Sequence, residues 1–448
     1  GLFISKDKSP KRVIIAKDTR LSGYMLESSL TSGLTSVGLD VFLLGPMPTP
    51  AVSMLIKSMR ADLGIMNSAS HNTYEYNGIK IFGPDGYKLD DSDELEIEDI
   101  LENLNSHDLS SRVIGKAKRI DDAQARYIEF VKGTLERDIN YDGIKVVIDS
   151  ANGAAYKVAP LALWELGAKV ISIGDSPNGK NINHKYGSTS LSNLKKAVQD
   201  NKADIGIALD GDADRILVID EMGEIVDGDA LLAIIATEWK KLGKLKKDSV
   251  VATVLSNIGL DDYLSREKMK LYRTNVGDRY VSQFMRENGF NIGGEQSGHI
   301  ILGDYSTTGD GLLAAIQILS IMKKSNKKIS ELARLIKIVP QIQRNYKISD
   351  YEKINIEDIY LAHQKTYVDS VIDGSLSNRS KRKIGLLPWI DQIINRTRYI
   401  MGGSLGALNS AINSKGIAGN MAGGTHHAYH SKGSGYCIFN DLAICARV

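Results

Sequence analysis

Three aspartates at alternate positions, Asp210, Asp212 and Asp214 in "IALDGDADRILVID" (residues 207–220), raise the first chemical question. Like charges gathered on one side of an extended or tightly turned backbone repel one another, and their pKa values rise unless a cation sits among them. A hard divalent metal that prefers oxygen ligands answers that repulsion. The spacing also mimics a calcium loop of the EF-hand type, with Glu221 at position twelve counting from Asp210. That loop needs glycine at position six, where this chain has Arg215, and here the flanking "IGIA" and "ILVI" read as strands instead of helices. One or two aspartates would suit a solvated acidic turn, whereas three between apolar runs favour a metal loop. Mg²⁺ is the expected ion, because three carboxylates leave room for a phosphate oxygen and Mg²⁺ usually works beside substrate phosphates.

Phosphoryl chemistry at such a loop requires a group that carries or accepts the phosphoryl. Ser70 in "MNSASHNTYEYNGIKIFGPDG" is a candidate: it lies in a turn of small residues after a strand pattern and is followed by His71 and Asn72. A plain polar turn is the competing reading of the same residues. A third stretch, "GGEQSGHI" (residues 293–300), presents Glu295 and Ser297 from a glycine-framed loop, which suits hydrogen bonding to vicinal sugar hydroxyls or an amine. An ordinary hairpin with one exposed glutamate is its alternative. His299 is either a satisfied structural histidine or a group titrating where proton transfer needs it.

These loops need elements to position them. β-Branched runs alternate with helical patterns through "RVIIAKD", "DVFLLG" and "ADLGIMNS", restart at "GIKVVIDSANG", and begin again at "DSVVATVLSNIG". That rhythm predicts three α/β units with largely parallel sheets, and "MNSASHN" and "LDGDADR" each follow a strand, where such sheets bind ligands. The expected divisions are 1–140, 141–245 and 246–352, with a segment of different character, 353–448, after the acidic "KISDYEKINIEDIY". Lys plus Arg (56) nearly balances Asp plus Glu (54), and the basic clusters at 323–328 and 379–383 are short, so no nucleic-acid partner is expected. No run approaches the ~18 apolar residues of a membrane span, and two cysteines are too few for a disulfide framework. A cytoplasmic location is the expectation.

Taken together, the loops resemble the α-D-phosphohexomutase superfamily, and most closely its phosphoglucosamine mutase branch. The resemblance runs from about Arg12 to Ile348 in family order through "DTRLSG", "SASHN", "NGIKIFG", "DSANGAA", "PNGKNIN", "DGDADR", "VGDRYV", "GEQSGHI" and "TTGDG". It implies that Ser70 carries the exchangeable phosphoryl group and that Asp210, Asp212 and Asp214, with a phosphate oxygen on Ser70, bind Mg²⁺. It further implies that Arg20 and Arg215 neutralise phosphoryl charge, that Lys80 acts in proton transfer, and that Glu295 with Ser297 orients the sugar; from the residues themselves, His299 is a further candidate for proton transfer, and Arg215, His71 and Asn72 for binding the substrate. The implied reaction interconverts glucosamine 6-phosphate and glucosamine 1-phosphate through a bisphosphate. Phosphomannomutase or phosphoglucomutase activity is the alternative, since Gln296, where those branches usually have Met, carries much of the distinction.

The family usually has Pro where Thr73 stands and an apolar residue where Asn67 stands. Its opening "GTDGIRG" type segment and fourth-domain "R-x-S-G-T-E-P" type loop have no counterpart in the sequence, so three of four domains are expected, the first incomplete, with turnover impaired. From about Leu361, "LPWIDQIINRTRYIMGGSL" and "AGGTHHAYHSKGSGYCIFNDLAICARV" resemble the front part of the histone deacetylase and acetoin-utilisation superfamily, with His426 and His427 matching its paired histidines. The resemblance implies a partial α/β deacetylase-like segment without that family's zinc ligands. An inactive fusion of the two fragments, or a tail acting as a binding module, are the readings from other classes. Partners beyond the hexosamine phosphate are left open as a homo-oligomer or association through the incomplete tail.

Overall fold

The computed structural model describes residues 1–4, 11–103, 114–341, 353–386, 389–422 and 424–448. Each β-branched rhythm becomes an open sheet. In the first, β1 (Arg12–Lys17), β2 (Asp40–Pro46), β3 (Leu63–Asn67), β4 (Ile79–Phe82) and β5 (Ala117–Arg119) lie in the order β4-β3-β1-β2-β5. All pairings are parallel except β3 with β4. Helices α1 (Ser22–Ser36) and α2 (Thr49–Met59) make the crossovers, and α3 (Asp91–Glu102) follows β4. Val13, Ile14, Ile15 and Ala16 are all fully buried, as a strand covered on both faces requires. Pro50 lies in the first turn of α2, where a missing N–H costs nothing.

Helix α4 (Ala123–Lys132) leads into the second sheet. There β6 (Lys145–Asp149), β7 (Lys169–Ile173), β8 (Ile205–Leu209), β9 (Ile216–Asp220) and β10 (Ile225–Val226) take the order β10-β9-β8-β6-β7. The β7-β6-β8 part is parallel, and β9 and β10 reverse. Its crossovers are α5 (Val158–Glu165) and α6 (Ser192–Asn201). The third sheet follows α7 (Gly228–Lys241) and orders β11 (Ser249–Thr253), β12 (Lys270–Thr274), β13 (Ile292–Gly294) and β14 (Ile300–Leu302) as β12-β11-β13-β14, with only β14 antiparallel. Helices α8 (Ile258–Arg266), α9 (Asp278–Asn288), α10 (Gly311–Ser325) and α11 (Ile329–Ala333) complete it.

One apolar cluster takes side chains from all three sheets, including Ile14, Ile148 and Ala252, together with the central helices α7 and α10. Residues Gly1–Gln341 form one unit and Ile342–Val448 another. The second unit has its own core around Ile359, Val368, Val371, Phe439 and Ile444. Its described residues form α12 (Ile356–Tyr360), α13 (Lys365–Ile372), α14 (Asn378–Ile384), α15 (Asp391–Ser414) and α16 (Asp441–Cys445), with isolated bridges at Tyr429–Lys432 and Ser434–Cys437. His363 is a structural post there: Nδ1 lies 3.0 Å from Tyr429 O and Nε2 accepts the Asn440 N–H at 2.9 Å. Among the described residues no helix is long and apolar enough to cross a membrane.

Candidate active site

Each candidate loop joins a parallel strand to the antiparallel strand beside it. Residues 68–78 connect β3 to β4, Asp210–Arg215 connect β8 to β9, and Glu295–His299 connect β13 to β14. The three loops meet. The Thr49 N–H donates to Asp212 O at 2.9 Å and its hydroxyl donates to the Asp212 carboxylate. The Ile216 N–H donates to Gly298 O at 2.9 Å, and the Gly311 N–H to Ala213 O at 3.0 Å. Behind the acidic loop the "DSANG" turn approaches so closely that a Cβ on Gly153 would lie 2.3 Å from Gly211 O, which leaves room for glycine alone.

Asp210 and Asp212 are fully buried and Asp214 nearly so, and one carboxylate oxygen from each lies within 4.8 Å of the others. Ala213, at φ 56, makes the tight turn that folds the alternating residues together. Among the described residues Asp212 Oδ1 and Asp214 Oδ1 have no hydrogen-bond partner, although an unpaired buried carboxylate oxygen is costly. A cluster of three buried carboxylates with two unpartnered oxygens fits a divalent cation. Lys80 on β4 supplies a positive charge from the protein itself, donating to Asp212 Oδ2 at 2.6 Å and Asp214 Oδ2 at 2.9 Å. Burial opposes the Lys80 charge, yet the two carboxylates hold its pKa well above the usual lysine range. Burial would likewise raise Asp214, but Lys80 and His299 keep it well below the ordinary value. Asp210 goes the other way, pushed up by burial and then by Asp214 and Asp212.

Ser70 reaches this cluster from the first sheet. Its Oγ donates to Asp210 Oδ2 at 2.5 Å, and its backbone is left-handed at φ 50, which turns the hydroxyl toward the second sheet. Two side chains hold the turn by its carbonyls. Asn183 Nδ2 donates to Ser70 O and Asn72 O, at 2.8 Å each, and Arg20 Nη2 donates to the same oxygens at 3.3 and 2.5 Å. Arg20 is fully buried under the loop and paired with Asp18, its guanidinium directly beneath the Ser70 turn.

Arg215 is half-buried beside the triad, its Nε 4.0 Å from Asp214 Oδ1. His71 is partly buried, and burial followed by the Arg215 charge lowers its pKa. Asn72 is exposed. Glu295 Oε1 accepts the Gly277 N–H at 3.0 Å, and its Oε2 faces the exposed Ser297 hydroxyl at 3.4 Å. His299 is buried, so it lies behind the loop and not on its open face. Its Nε2 accepts the Gly309 N–H at 3.0 Å, its Nδ1 is 3.9 Å from Asp214 Oδ1, and Asp278, paired with Lys88, stands 3.4 Å from Nε2.

The structure thus gathers Ser70, Lys80, Arg20, Arg215, His299 and the three aspartates, with His71 in their field. Sequence reasoning did not single out Asn183, Thr49, Asp278 or Lys88. The only signal for Asn183 was the polar "PNGKNIN" run, and for Asp278 the "VGDRYV" run. In the second unit His426 and His427 are exposed, with ring centroids 4.3 Å apart. Among the described residues they join no third ligand group close enough to share a metal.

Family models for phosphoglucomutase/phosphomannomutase alpha/beta/alpha domains I, II and III match residues 1–108, 125–223 and 227–339, and a histone deacetylase domain model matches 322–448. A phosphoglucosamine mutase of Rhizobium johnstonii is 55% identical over 380 residues, covering 85% of this chain and 84% of that one. One from Parvibaculum lavamentivorans is 56% identical over 360 residues, 80% of each chain. In fold, the chain is similar to a phosphoglucomutase/phosphomannomutase family protein of Burkholderia thailandensis, with a TM-score of 0.65 at 23% identity over 80% of this chain and 77% of that one. A phosphomannomutase-like structure from Thermus thermophilus gives the same TM-score over 73% of this chain and 75% of the other. With three successive domains matched and more than half of the aligned residues shared with phosphoglucosamine mutases, this chain belongs to the phosphoglucomutase/phosphomannomutase family.

Proposed function

We propose that this chain is a phosphoglucosamine mutase, interconverting glucosamine 6-phosphate and glucosamine 1-phosphate through phosphorylated Ser70. The observation that carries this reading is the 2.5 Å approach of Ser70 Oγ to Asp210 Oδ2, at the edge of a buried triad with two free carboxylate oxygens. A nucleophile and a cation site side by side are what phosphoryl transfer asks of a protein, since its task is positioning and charge stabilisation. The identity to phosphoglucosamine mutases favours the hexosamine among hexose phosphates.

In the first transfer the substrate's free hydroxyl oxygen bonds to phosphorus as the bond from phosphorus to Ser70 Oγ breaks; the hydroxyl proton is released to water, and Ser70 Oγ takes up a proton as it leaves. The bisphosphate then reorients, and Ser70 Oγ takes a phosphoryl from its other end. Asp210, Asp212 and Asp214, with a phosphate oxygen on Ser70, would hold Mg²⁺, which would supply charge neutralisation for the transferring group. Lys80, held as the ammonium by Asp212 and Asp214, serves proton transfer as the donor to the departing Ser70 Oγ, and His299 positions Asp214 beside it. Arg215, His71 and Asn72 face the phosphate, Arg20 fixes the loop that carries it, and Glu295 with Ser297 takes the sugar. The free thiols Cys437 and Cys445 suit a cytoplasmic setting.

Incubation with a labelled hexose bisphosphate tests the assignment. Wild type should take up label and Ser70→Ala should not, and equal labelling of the two would remove Ser70 from the mechanism.

A further inference from the structure

Away from the acidic loop, a cavity of about 560 Å³ opens between α2, α4 and the residues leading into α10. That volume lies in the range of small-molecule pockets, roughly 300 to 1,000 Å³. Met54, Phe130 and Tyr305 give it apolar and aromatic walls, and Lys57, Ser58 and Thr307 give it polar ones. Two other charged side chains in the lining have ion-pair partners of their own, although Glu129 shares Lys132 with Glu165. Arg126 pairs with Asp122 at 2.8 Å, and Glu129 with Lys132 at 2.6 Å. Among the described residues Lys57 has no ion pair; its side chain is exposed at the rim, with the ammonium 5.9 Å from the Tyr87 ring centroid, where it can meet an anion seated in the cavity.

Two short routes lead from these walls to the triad. Helix α2 begins at Thr49, whose N–H and hydroxyl hold Asp212. One turn further on, Ser53 Oγ and Thr307 Oγ1 share a hydrogen bond at 2.5 Å, and both oxygens lie within hydrogen-bond distance of Gly86 O, at 2.8 and 2.5 Å. From Thr307 the chain runs two residues to Gly309, whose N–H holds the ring of His299 beside Asp214. A ligand that packs α2 against the 305–307 segment therefore acts on Asp212 from one side and on Asp214 from the other.

We propose that this cavity is an effector site for a small organic anion with a flat apolar body, its acidic group against Lys57, and that its occupancy changes the cation affinity of the Asp210–Asp214 loop. The aromatic walls take the flat body, the unpaired ammonium takes the charge, and the shared backbone contacts carry the coupling. Neither Lys57 nor Ser58 belongs to the phosphoryl-transfer machinery, so the site stands apart from the mutase reading.

Naphthalene-1-sulfonate is a suitable probe, followed by calorimetry on the full chain. One site is expected, weakened about tenfold by Lys57→Glu, kept by Lys57→Arg, and abolished by Ser58→Trp, which fills the cavity from an exposed helix position. Mg²⁺ affinity should differ at least ~threefold with and without probe, and by linkage Mg²⁺ should change probe affinity by the same factor. No probe binding in wild type, or binding unchanged in both Lys57→Glu and Ser58→Trp, overturns the site. Equal Mg²⁺ affinities with and without probe overturn the coupling. A chain that binds no Mg²⁺ at all overturns the coupling and the cation assignment together, while the two variants still decide the cavity and Ser70→Ala labelling still decides the nucleophile.

Discussion

Replacing Asn183 with glycine removes two hydrogen bonds from the Ser70 turn while leaving the backbone that presents them free of strain. Asn183 Nδ2 is the donor to both Ser70 O and Asn72 O, and Asn183 itself is left-handed at φ 58, a conformation glycine adopts readily. At about 1 kcal/mol net for each bond, the pair holds the turn with ~2 kcal/mol. Against this stands the cost of keeping Ser70 at φ 50, on the order of 1 to 2 kcal/mol for a residue with a Cβ. The two quantities nearly cancel. Without Asn183, Arg20 alone remains on those carbonyls, and the turn no longer has a surplus of interactions holding Ser70 toward Asp210.

The expected result is a fall in unfolding free energy of ~2 kcal/mol in urea titration, and phosphoryl uptake from labelled hexose bisphosphate slowed up to ~30-fold, at about 1.4 kcal/mol per factor of ten. Asn183→Ala should be worse by about a further 1 kcal/mol, because alanine pays for the left-handed backbone as well. The difference between the variants isolates the backbone, and what they share isolates the bonds. An Asn183→Gly chain that labels at the wild-type rate would refute the clamp, whatever its stability.

Changing Asp212 and Asp214 together to asparagine should strongly reduce Mg²⁺ affinity by calorimetry, and unchanged binding would make the triad a charged turn. Burial raises Asp310 to about 6 from its ordinary 3.8, so its ionisation opposes folding. Stability is therefore fullest below the unfolded pKa and declines as pH rises toward the folded one, and relative to Asp310→Asn the wild type should lose roughly 3 kcal/mol between pH ~4 and ~6. A constant difference across that window would show the shift to be absent. Asn67 is fully buried with neither amide atom partnered among the described residues, so Asn67→Val on the same strand should raise the unfolding free energy by about 1 to 3 kcal/mol. A destabilised Asn67→Val chain would mean that the amide has a partner after all.

The α/β units, the Ser70 turn at a strand end and the acidic triad could be read in the sequence because each depends on residues near one another in the chain. Alternating aspartates between two strand patterns constrain their own geometry, and a serine after a buried strand lies at a strand end by construction. What the sequence did not reveal is the set of partners that come from far away. Asn183 meets Ser70 across 113 positions and Thr49 meets Asp212 across 163, and neither an asparagine in a polar loop nor a threonine before a proline stands out by type. Direction was also hidden. Arg20 and His299 were legible as members of the site, but only packing shows that Arg20 lies under the serine turn and that His299 lies behind Asp214. The amide of Asn67, at a position where the resemblance suggests an apolar residue, shows the converse: the burial could be anticipated, and the missing partners could not.

Why the three loops converge follows from how each sheet ends. A parallel strand normally hands its chain to a crossover helix, and the loop at its carboxyl end is then fixed on one side only. In all three sheets the site loop instead leads straight back along an antiparallel neighbour, β3 to β4, β8 to β9 and β13 to β14, so strand pairing fixes it at both ends. Such a loop can be short and can hold a strained residue, as Ser70 and Ala213 do, because relaxing it would break a ladder on either side. The acidic loop belongs to the middle sheet and is gripped from both neighbours, by Thr49 of the first and Gly298 of the third. That double grip keeps three carboxylates buried together against their repulsion. It also makes Asp212 and Asp214 sensitive to movements that begin in α2 or in the residues before α10, well outside the reacting groups.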